Sequence, residues 1–337
     1  MSRARGALLG LAVGDALGTT YEFRVIEQRD YPVLATGPAT DVVGAGPFEL
    51  APGQITDDTQ LAICIARSFL ERGGFDPADI AAKYVVWAEH AFDIGSQTLG
   101  AIDELRAGTV YSSAGLAVWR NRDRRPAGNG SLMRTAPIAV ALSGPAVVEA
   151  AIVESMITHA DPRCALACAA FDAGIAAAIA DDAVDGRGMI DAARAGLAAG
   201  ATRLRALWDD PADREHLERA IVELGGDLDA GLAEQPGVYR PGLHVHETAG
   251  FVRVAFRLAC WHAVHTPSWK DAVVDVASRG GDADTNGAIV GAFVGARDGA
   301  RAIPAAWRER VLAATQPGPA AWAEAHHPRH LVALVER

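Results

Sequence analysis

GALLGLAVGDALG at residues 6–18 and NGAIVGAFVGARDG at residues 286–299 carry a glycine at every fourth position. Glycine destabilises a helix by about 1 kcal/mol relative to alanine, and a smooth glycine face lets another backbone pack very close. We therefore predict that both stretches are helices and that they are central and buried against each other. Their contact would hold the start of the second helix rigidly, near the loop that follows Gly18.

Two acidic clusters each precede an apolar helical run. The second cluster precedes the second glycine-bearing stretch. ITDDT occupies residues 55–59 and GGDADT occupies residues 280–285. Asp and Thr are common helix N-caps, so capping is the favoured interpretation of either cluster alone and accounts for one carboxylate in each. If the fold brings the clusters together, the other carboxylates repel each other unless a cation neutralises them. Oxygen ligands from Asp and Thr suit Mg²⁺ or Mn²⁺.

Composition disfavours several classes of function. The chain has 337 residues, of which 50% are hydrophobic, and a formal net charge of −11. Such a charge, without a dense basic run, disfavours binding to nucleic acid. Lys83 and Lys270 are the only lysines, so a Schiff-base mechanism is not expected.

The cysteines and the hydropathy pattern favour a cytoplasmic protein that does not act with a membrane. Cys64, Cys164, Cys168 and Cys260 lie in apolar, helical stretches, which favours reduced thiols in a core over a disulfide framework. Asp15 interrupts the apolar run near the N-terminus, and no run reaches the ~18 uninterrupted apolar residues that a membrane helix needs.

Helical periodicity covers most of the chain and predicts one all-α domain over residues 1–337. The predicted helices span residues 6–17, 59–72, 77–92, 96–107, 146–158, 162–180, 189–207, 212–224, 247–264, 269–278, 285–299 and 304–314. Residues 31–43 are irregular enough for a strand or a flap. Residues 181–185 and 225–242 are rich in loop-forming residues and predict loops.

Five motifs occur in a fixed order: GLAVGDALGTTYEF, ITDDTQ, GNGSLMRTAP, THADPR and SRGGDADTNGAIVGA. Together they resemble the ADP-ribosylglycohydrolase family over a stretch from residue 6 to about residue 299. The resemblance implies a compact orthogonal helical bundle with two divalent cations, Mg²⁺ or Mn²⁺. It also implies hydrolysis of the bond between ADP-ribose and a modified group, so the expected partners are an ADP-ribosylated protein or peptide and ADP-ribose.

The resemblance assigns metal ligands to both acidic clusters. The implied ligands are Thr56, Asp57, Asp58, Asp282, Asp284 and Thr285. Glu22 matches a mobile acidic residue near the metals, although its spacing alone is explained equally well by an ordinary surface carboxylate.

Two further motifs match parts that bind substrate. Asn129, Gly130 and Ser131 match a phosphate-cradling loop, in which glycine allows close approach and N–H groups face an anion. His159 is placed beside the pyrophosphate or the distal ribose. Taken alone, GNGS is typical of a turn, and His159 is explained by the dipole at a helix C-terminus.

The expected reaction is cleavage at the anomeric carbon of the distal ribose, through an oxocarbenium-like transition state. Asp284 or Asp58 would accept a proton from water, and Glu22 would orient that water or the leaving group. Arginine is the expected acceptor. The alternatives are a hydrolase of O-linked, serine-type or small-molecule ADP-ribosyl conjugates, and an ADP-ribose-binding relative without catalysis. Residues 204–245 match no motif and leave the acceptor open.

Overall fold

The computed structural model describes residues 1–336, and its long elements are all helices. The helices are α1 (Ser2–Gly18), α2 (Asp57–Arg72), α3 (Pro77–Trp87), α4 (Ser96–Arg106), α5 (Ala114–Asn121), α6 (Ala136–Ala141), α7 (Pro145–Thr158), α8 (Pro162–Ala180), α9 (Gly186–Leu207), α10 (Pro211–Leu232), α11 (Val252–His265), α12 (Trp269–Arg279), α13 (Ala283–Asp298), α14 (Ala305–Ala313), α15 (Ala320–Ala325) and α16 (Arg329–Ala333). Two short strands, β1 (Tyr239–Arg240) and β2 (Leu243–His244), pair antiparallel. The all-α prediction is confirmed.

The glycine faces of α1 and α13 are in direct backbone contact. A Cβ added to Gly10 would lie 2.0 Å from the Gly291 carbonyl oxygen, and one added to Gly14 would lie 2.0 Å from the Gly287 carbonyl oxygen. Real Cβ contacts essentially never fall under 3.0 Å, so no other residue type fits at these positions. The close packing that the glycine spacing predicts is confirmed, and the order of the contacts shows that the two helices run antiparallel.

This contact also places the end of α1 beside the start of α13. A Cβ added to Gly18 would lie 2.1 Å from the Ala283 carbonyl oxygen. Beyond Gly18, the Phe23 amide donates to the Gly281 carbonyl at 2.8 Å, and the Gly281 amide donates to the Arg24 carbonyl at 2.7 Å. The loop that follows α1 is therefore held against the second acidic cluster.

The loop predicted over residues 225–242 is wrong in its first part, because α10 continues to Leu232. Asp227 is fully buried in this continuation and pairs with Arg253 and Arg257 of α11. These ion pairs join α10 to α11, and they hold the helix despite Gly225 and Gly226.

Residues 31–43 form no strand; they are an irregular segment that polar groups of α12 hold against the core. The buried Tyr31 hydroxyl donates to Asp275 Oδ2 at 2.8 Å, and the Ala35 amide donates to Asp275 Oδ1 at 2.6 Å. Elsewhere α11 begins at Val252 rather than at residue 247, because Gly250 has a left-handed φ of +76°. The short helices α5, α6, α15 and α16 have no counterpart in the sequence-based prediction.

α8 is the one helix in residues 1–336 that is long and apolar enough to cross a membrane, and 67% of its apolar window is buried. It packs against α7, α9 and α13, which is typical of a core helix. All four cysteines are buried and free. The single domain over residues 1–337 and the cytoplasmic location stay predictions.

The close contact between α1 and α13 predicts that Gly14→Ala destabilises the protein strongly. The new methyl group would meet the Gly287 carbonyl, and overpacking of this kind costs about 3 kcal/mol or more in free energy of unfolding. Gly225→Ala is the matched control, because Gly225 lies in α10 and nothing is within 4 Å of its added Cβ. This variant should gain about 0.5–1 kcal/mol. Urea unfolding measures both, and equal stability of the two variants would contradict the contact.

Candidate functional site

A cavity of about 350 Å³ opens beside the N-terminus of α13, and most of the predicted site residues line it. From the acidic clusters and the loop after α1, the lining residues are Asp57, Asp282, Asp284, Thr285 and Glu22. From the other motifs they are Asn129, Gly130 and His159. Thr56, Asp58 and Ser131 do not line it and are at most 1% exposed. The structure thus brings both acidic clusters to one cavity.

Carboxylates from α1 and from the loop after it accept hydrogen bonds from the N-termini of α2 and α13, the helices that follow the two clusters. Asp15 accepts hydrogen bonds from the Thr56 and Thr59 amides at 3.1 and 3.2 Å. Glu22 accepts hydrogen bonds from the Ala283 amide at 2.6 Å and from the next amide along at 3.3 Å. Neither helix is capped by the side chain of its own N-cap residue.

Capping therefore uses fewer carboxylates of the clusters than the sequence suggests. In the first cluster, Asp57 or Asp58 was expected to cap the helix, but Asp15 accepts the hydrogen bonds from its first amides. That expectation is therefore wrong. In the second cluster Asp284 Oδ1 does accept the Thr285 amide, at 2.7 Å. Neither carboxylate of the first cluster is therefore needed as a helix cap.

The cluster carboxylates are crowded, and all of them are buried except Asp282, which is half-buried. Ligand oxygens of Glu22, Asp282 and Asp284 lie within 4.8 Å of one another. Asp58 is 1% exposed, and its Oδ1 has no hydrogen-bond partner. Its other oxygen, Oδ2, lies 3.0 Å from the Thr56 hydroxyl. A buried carboxylate oxygen without a partner is costly, so this arrangement needs protons or a cation.

The pKa values show that the two clusters act on each other. Burial, and then the charges of neighbouring carboxylates that include Asp282, raises the pKa of Asp58 well above its usual value. Burial, Glu22 and Asp58 do the same to the pKa of Asp284. Burial and Asp282 raise the pKa of Glu22 to about 8. Cation binding would relieve this repulsion, and a set of carboxylate and hydroxyl oxygens fits Mg²⁺ or Mn²⁺.

A buried relay fixes the imidazole of His159 as a neutral donor. Arg134 Nη2 donates to the Thr158 hydroxyl oxygen at 2.8 Å, and this hydroxyl lies 2.7 Å from His159 Nδ1. With its oxygen accepting from Arg134, we assign the hydroxyl proton to the bond with Nδ1, which leaves the ring proton on Nε2. Burial and the charge of Arg134 lower the pKa of His159 to about 3. At neutral pH, His159 therefore offers the cavity an uncharged N–H group.

The GNGS loop supplies small and neutral groups beside this histidine. A Cβ on Gly130 would lie 2.8 Å from His159 Cε1, so glycine leaves room for the ring. Asn129 Nδ2 donates to Asp282 Oδ2 at 2.7 Å and links the loop to the second cluster. Ser131 turns away from the cavity, because its hydroxyl accepts from Ser155 at 2.9 Å in the core.

Sequence reasoning missed several residues of this site. Asp15 is fully buried, and its only signal was a carboxylate inside an apolar glycine-bearing helix. Asp93 lines the cavity, and burial together with Asp282 raises its pKa to about 6. Phe23, Gln97 and Thr98 also line the cavity. No residue from 204–245 is among the described lining residues; within that stretch, α10 packs on α9 and α11.

Comparison with known proteins shows which family this sequence and fold are similar to. The family model described as ADP-ribosylglycohydrolase matches residues 1–334. A relative from Pseudomonas putida named ADP-ribosylarginine hydrolase Tri1 is 32% identical, over 92% of this chain and 74% of its own. One from Rhodospirillum rubrum named ADP-ribosyl-[dinitrogen reductase] glycohydrolase is 28% identical, over 92% of this chain and 90% of its own. A solved ADP-ribosylglycohydrolase-related protein complex superposes with a TM-score of 0.65 at 28% identity, covering 97% of both chains.

The relay predicts that Thr158→Val releases the imidazole of His159 from its single tautomer. The isosteric valine removes the donor to Nδ1 and leaves Arg134 Nη2 without this acceptor, which should cost about 1–3 kcal/mol of stability. Thr158→Ser is the matched control, because it retains the hydroxyl. Nitrogen-15 NMR of His159 reads the tautomer directly. A pure Nε2–H tautomer in the valine variant would contradict the relay.

Proposed function

Since the chain belongs to the ADP-ribosylglycohydrolase family, we propose that it hydrolyses the bond between ADP-ribose and an arginine side chain of a modified protein. The observation that carries this proposal is the single cavity in which two carboxylate clusters meet a neutral loop suited to phosphate. Arginine is proposed as the acceptor because a relative that spans most of this chain is named an ADP-ribosylarginine hydrolase.

The charges of the cavity orient the proposed substrate. A pyrophosphate is repelled by carboxylates, so it lies along Gly128, Asn129 and Gly130 with the His159 N–H group beside it. Gln97 and Thr98 belong to this same side, since Gln97 Oε1 accepts the Gly128 amide at 2.7 Å and a Cβ on Gly130 would lie 3.5 Å from Thr98 Oγ1. The distal ribose then reaches the acidic clusters.

We assign two divalent cations to the clusters, with Thr56, Asp57, Asp58, Asp282, Asp284 and Thr285 as the protein ligands. The partnerless Asp58 oxygen and the raised pKa values of the buried carboxylates support this assignment. Bound cations of this type hold ribose hydroxyls and lower the pKa of water.

The chain's own carboxylates supply the proton transfers. Asp284 lines the cavity whereas Asp58 does not, so Asp284 is the better candidate to accept the proton of the attacking water. Glu22 lies beside Asp282 and Asp284 in the cavity, where it can orient the attacking water or the departing guanidine nitrogen.

Cation binding should depend on pH with a definite sign. The folded protein keeps protons on buried carboxylates that the unfolded chain loses above about pH 4, so the cation-free protein becomes less stable as pH rises from 4 towards 8. Cations displace those protons, so the increase in melting temperature caused by Mn²⁺ should be larger at pH 8 than at pH 6. Thermal unfolding with and without Mn²⁺ measures this, and an increase that shrinks with pH would contradict it.

Removal of a cluster carboxylate should remove cation binding and activity together. Asp282→Asn and Asp284→Asn should each weaken Mn²⁺ binding by at least about tenfold in calorimetry, since each takes a charged ligand from the site. Asp103→Asn is the control, because this side chain is 63% exposed and lies on α4 outside the cavity. Normal Mn²⁺ binding and full activity in both cluster variants would exclude the assignment.

The acceptor is tested by comparing substrates. Peptides that carry ADP-ribose on arginine or on serine, and a small ADP-ribosyl conjugate, are incubated with the protein and each cation, and free ADP-ribose is measured. We expect release from arginine to be faster than from serine by at least about tenfold, because a relative that spans most of this chain is named an ADP-ribosylarginine hydrolase. Preferential release from serine would move the function to the O-linked class. Binding of ADP-ribose without release from any substrate would indicate a relative without catalysis.

A further inference from the structure

Three phenylalanines form an exposed patch beside the carboxylates of the cavity. The ring centroids of Phe23 and Phe48 are 6.1 Å apart, and those of Phe48 and Phe92 are 5.5 Å apart. Phe23 is 68% exposed and Phe92 is 40% exposed. Phe23 lines the cavity directly, and Phe92 precedes Asp93, which also lines it. We name Phe23, Phe48 and Phe92 the aromatic rim.

The rim is held in place at the expense of backbone strain. Phe23 has a φ of +60°, which is unfavourable for a bulky residue. The hydrogen bond that its backbone N–H donates to the Gly281 carbonyl, at 2.8 Å, keeps it there. The loop that carries Phe48 is closed by the bridge between Ala45 and Leu50. An exposed aromatic side chain on a strained backbone adds little to the stability of the fold, so the position of Phe23 points to a role in binding.

The rim lies where the acceptor must leave the cavity. The neutral side of the cavity, at Gly128 to Gly130 and His159, is suited to the pyrophosphate, and the adenosine extends beyond it. The scissile bond lies at the carboxylates, next to Glu22. The group on the other side of that bond therefore emerges past Phe23, which follows Glu22 directly, and past Phe92.

We propose that the aromatic rim is the binding site for the acceptor arginine, with the guanidinium group stacked on the phenyl rings. The chemistry is complementary: aromatic faces attract a delocalised cation, and the carboxylate of Asp93, next to Phe92, adds negative charge. The aliphatic stem of the arginine packs on the rest of the apolar rim. This inference rests on the proposed function, since it identifies what binds on the acceptor side of the same cavity.

The test uses two variants of the rim and one control. Phe23→Asn removes a ring and retains a residue that tolerates the left-handed backbone, so it should fold normally. Phe92→Ala removes the second exposed ring. Val222→Ala is the control, because Val222 is 76% exposed on α10 and does not line the cavity.

Each rim variant should raise the KM for an ADP-ribosylarginine peptide by about fivefold to tenfold, the size expected for one lost cation–π contact. The Kd for ADP-ribose, measured by calorimetry with Mg²⁺, should stay unchanged, as should all values for Val222→Ala. An unchanged KM in both rim variants would overturn the inference. A weaker Kd for ADP-ribose would also overturn it, because the rim would then bind the adenine.

A second measurement separates this inference from the proposed function. Saturation-transfer NMR with agmatine, a small guanidine, is recorded on the protein saturated with ADP-ribose and Mg²⁺. Wild type should show agmatine signals, and both rim variants should lose them. If wild type binds agmatine through the rim but releases no ADP-ribose from arginine, the proposed function fails and the rim assignment stands. If wild type hydrolyses the arginine substrate and agmatine does not bind, the rim assignment fails alone.

Discussion

The backbone contact between α1 and α13 is the constraint on which the rest of the structure depends. It requires glycine on both helices, because a Cβ added to Gly10 of α1 would lie 2.0 Å from the Gly291 carbonyl oxygen, and one added to Gly291 of α13 would lie 2.2 Å from the Gly10 carbonyl oxygen. The contact places the end of α1 at the start of α13. As a result, one helix and its following loop bring a carboxylate to each acidic cluster, Asp15 to the first and Glu22 to the second.

The crowded carboxylates lower the stability of the cation-free protein, and they also form the proposed cation site. Buried carboxylates with raised pKa values are unfavourable in the cation-free protein, and the partnerless oxygen of Asp58 adds to the cost. The rigid backbone contact behind α13 holds the second cluster in place against this repulsion. The neutral loop at Asn129 and Gly130 and the imidazole of His159 line the same cavity, and we propose that they bind the pyrophosphate. The proposed cation and anion sites therefore lie side by side.

Much of this could be predicted from the sequence, because the informative patterns were local. The four-residue glycine spacing predicts the central helix pair, and the Asp and Thr clusters predict a cation site at two helix starts. The caps could not be predicted correctly, because N-cap preferences describe neighbours in sequence while Asp15 and Glu22 cap helices far along the chain. The continuation of α10 past Gly225 depends on the pairing of Asp227 with α11, which is likewise a tertiary contact. The rim of Phe23, Phe48 and Phe92 joins three loops and has no sequence period.

The most direct test of this arrangement is anomalous scattering from crystals of the protein soaked in Mn²⁺. Two peaks about 3.5–4 Å apart are expected between the first cluster, at Asp57 and Asp58, and the second, at Asp282 and Asp284. Their presence would show that the two clusters together form one dinuclear site. Peaks bound by one cluster alone, or no peak in the cavity at saturating Mn²⁺, would contradict it.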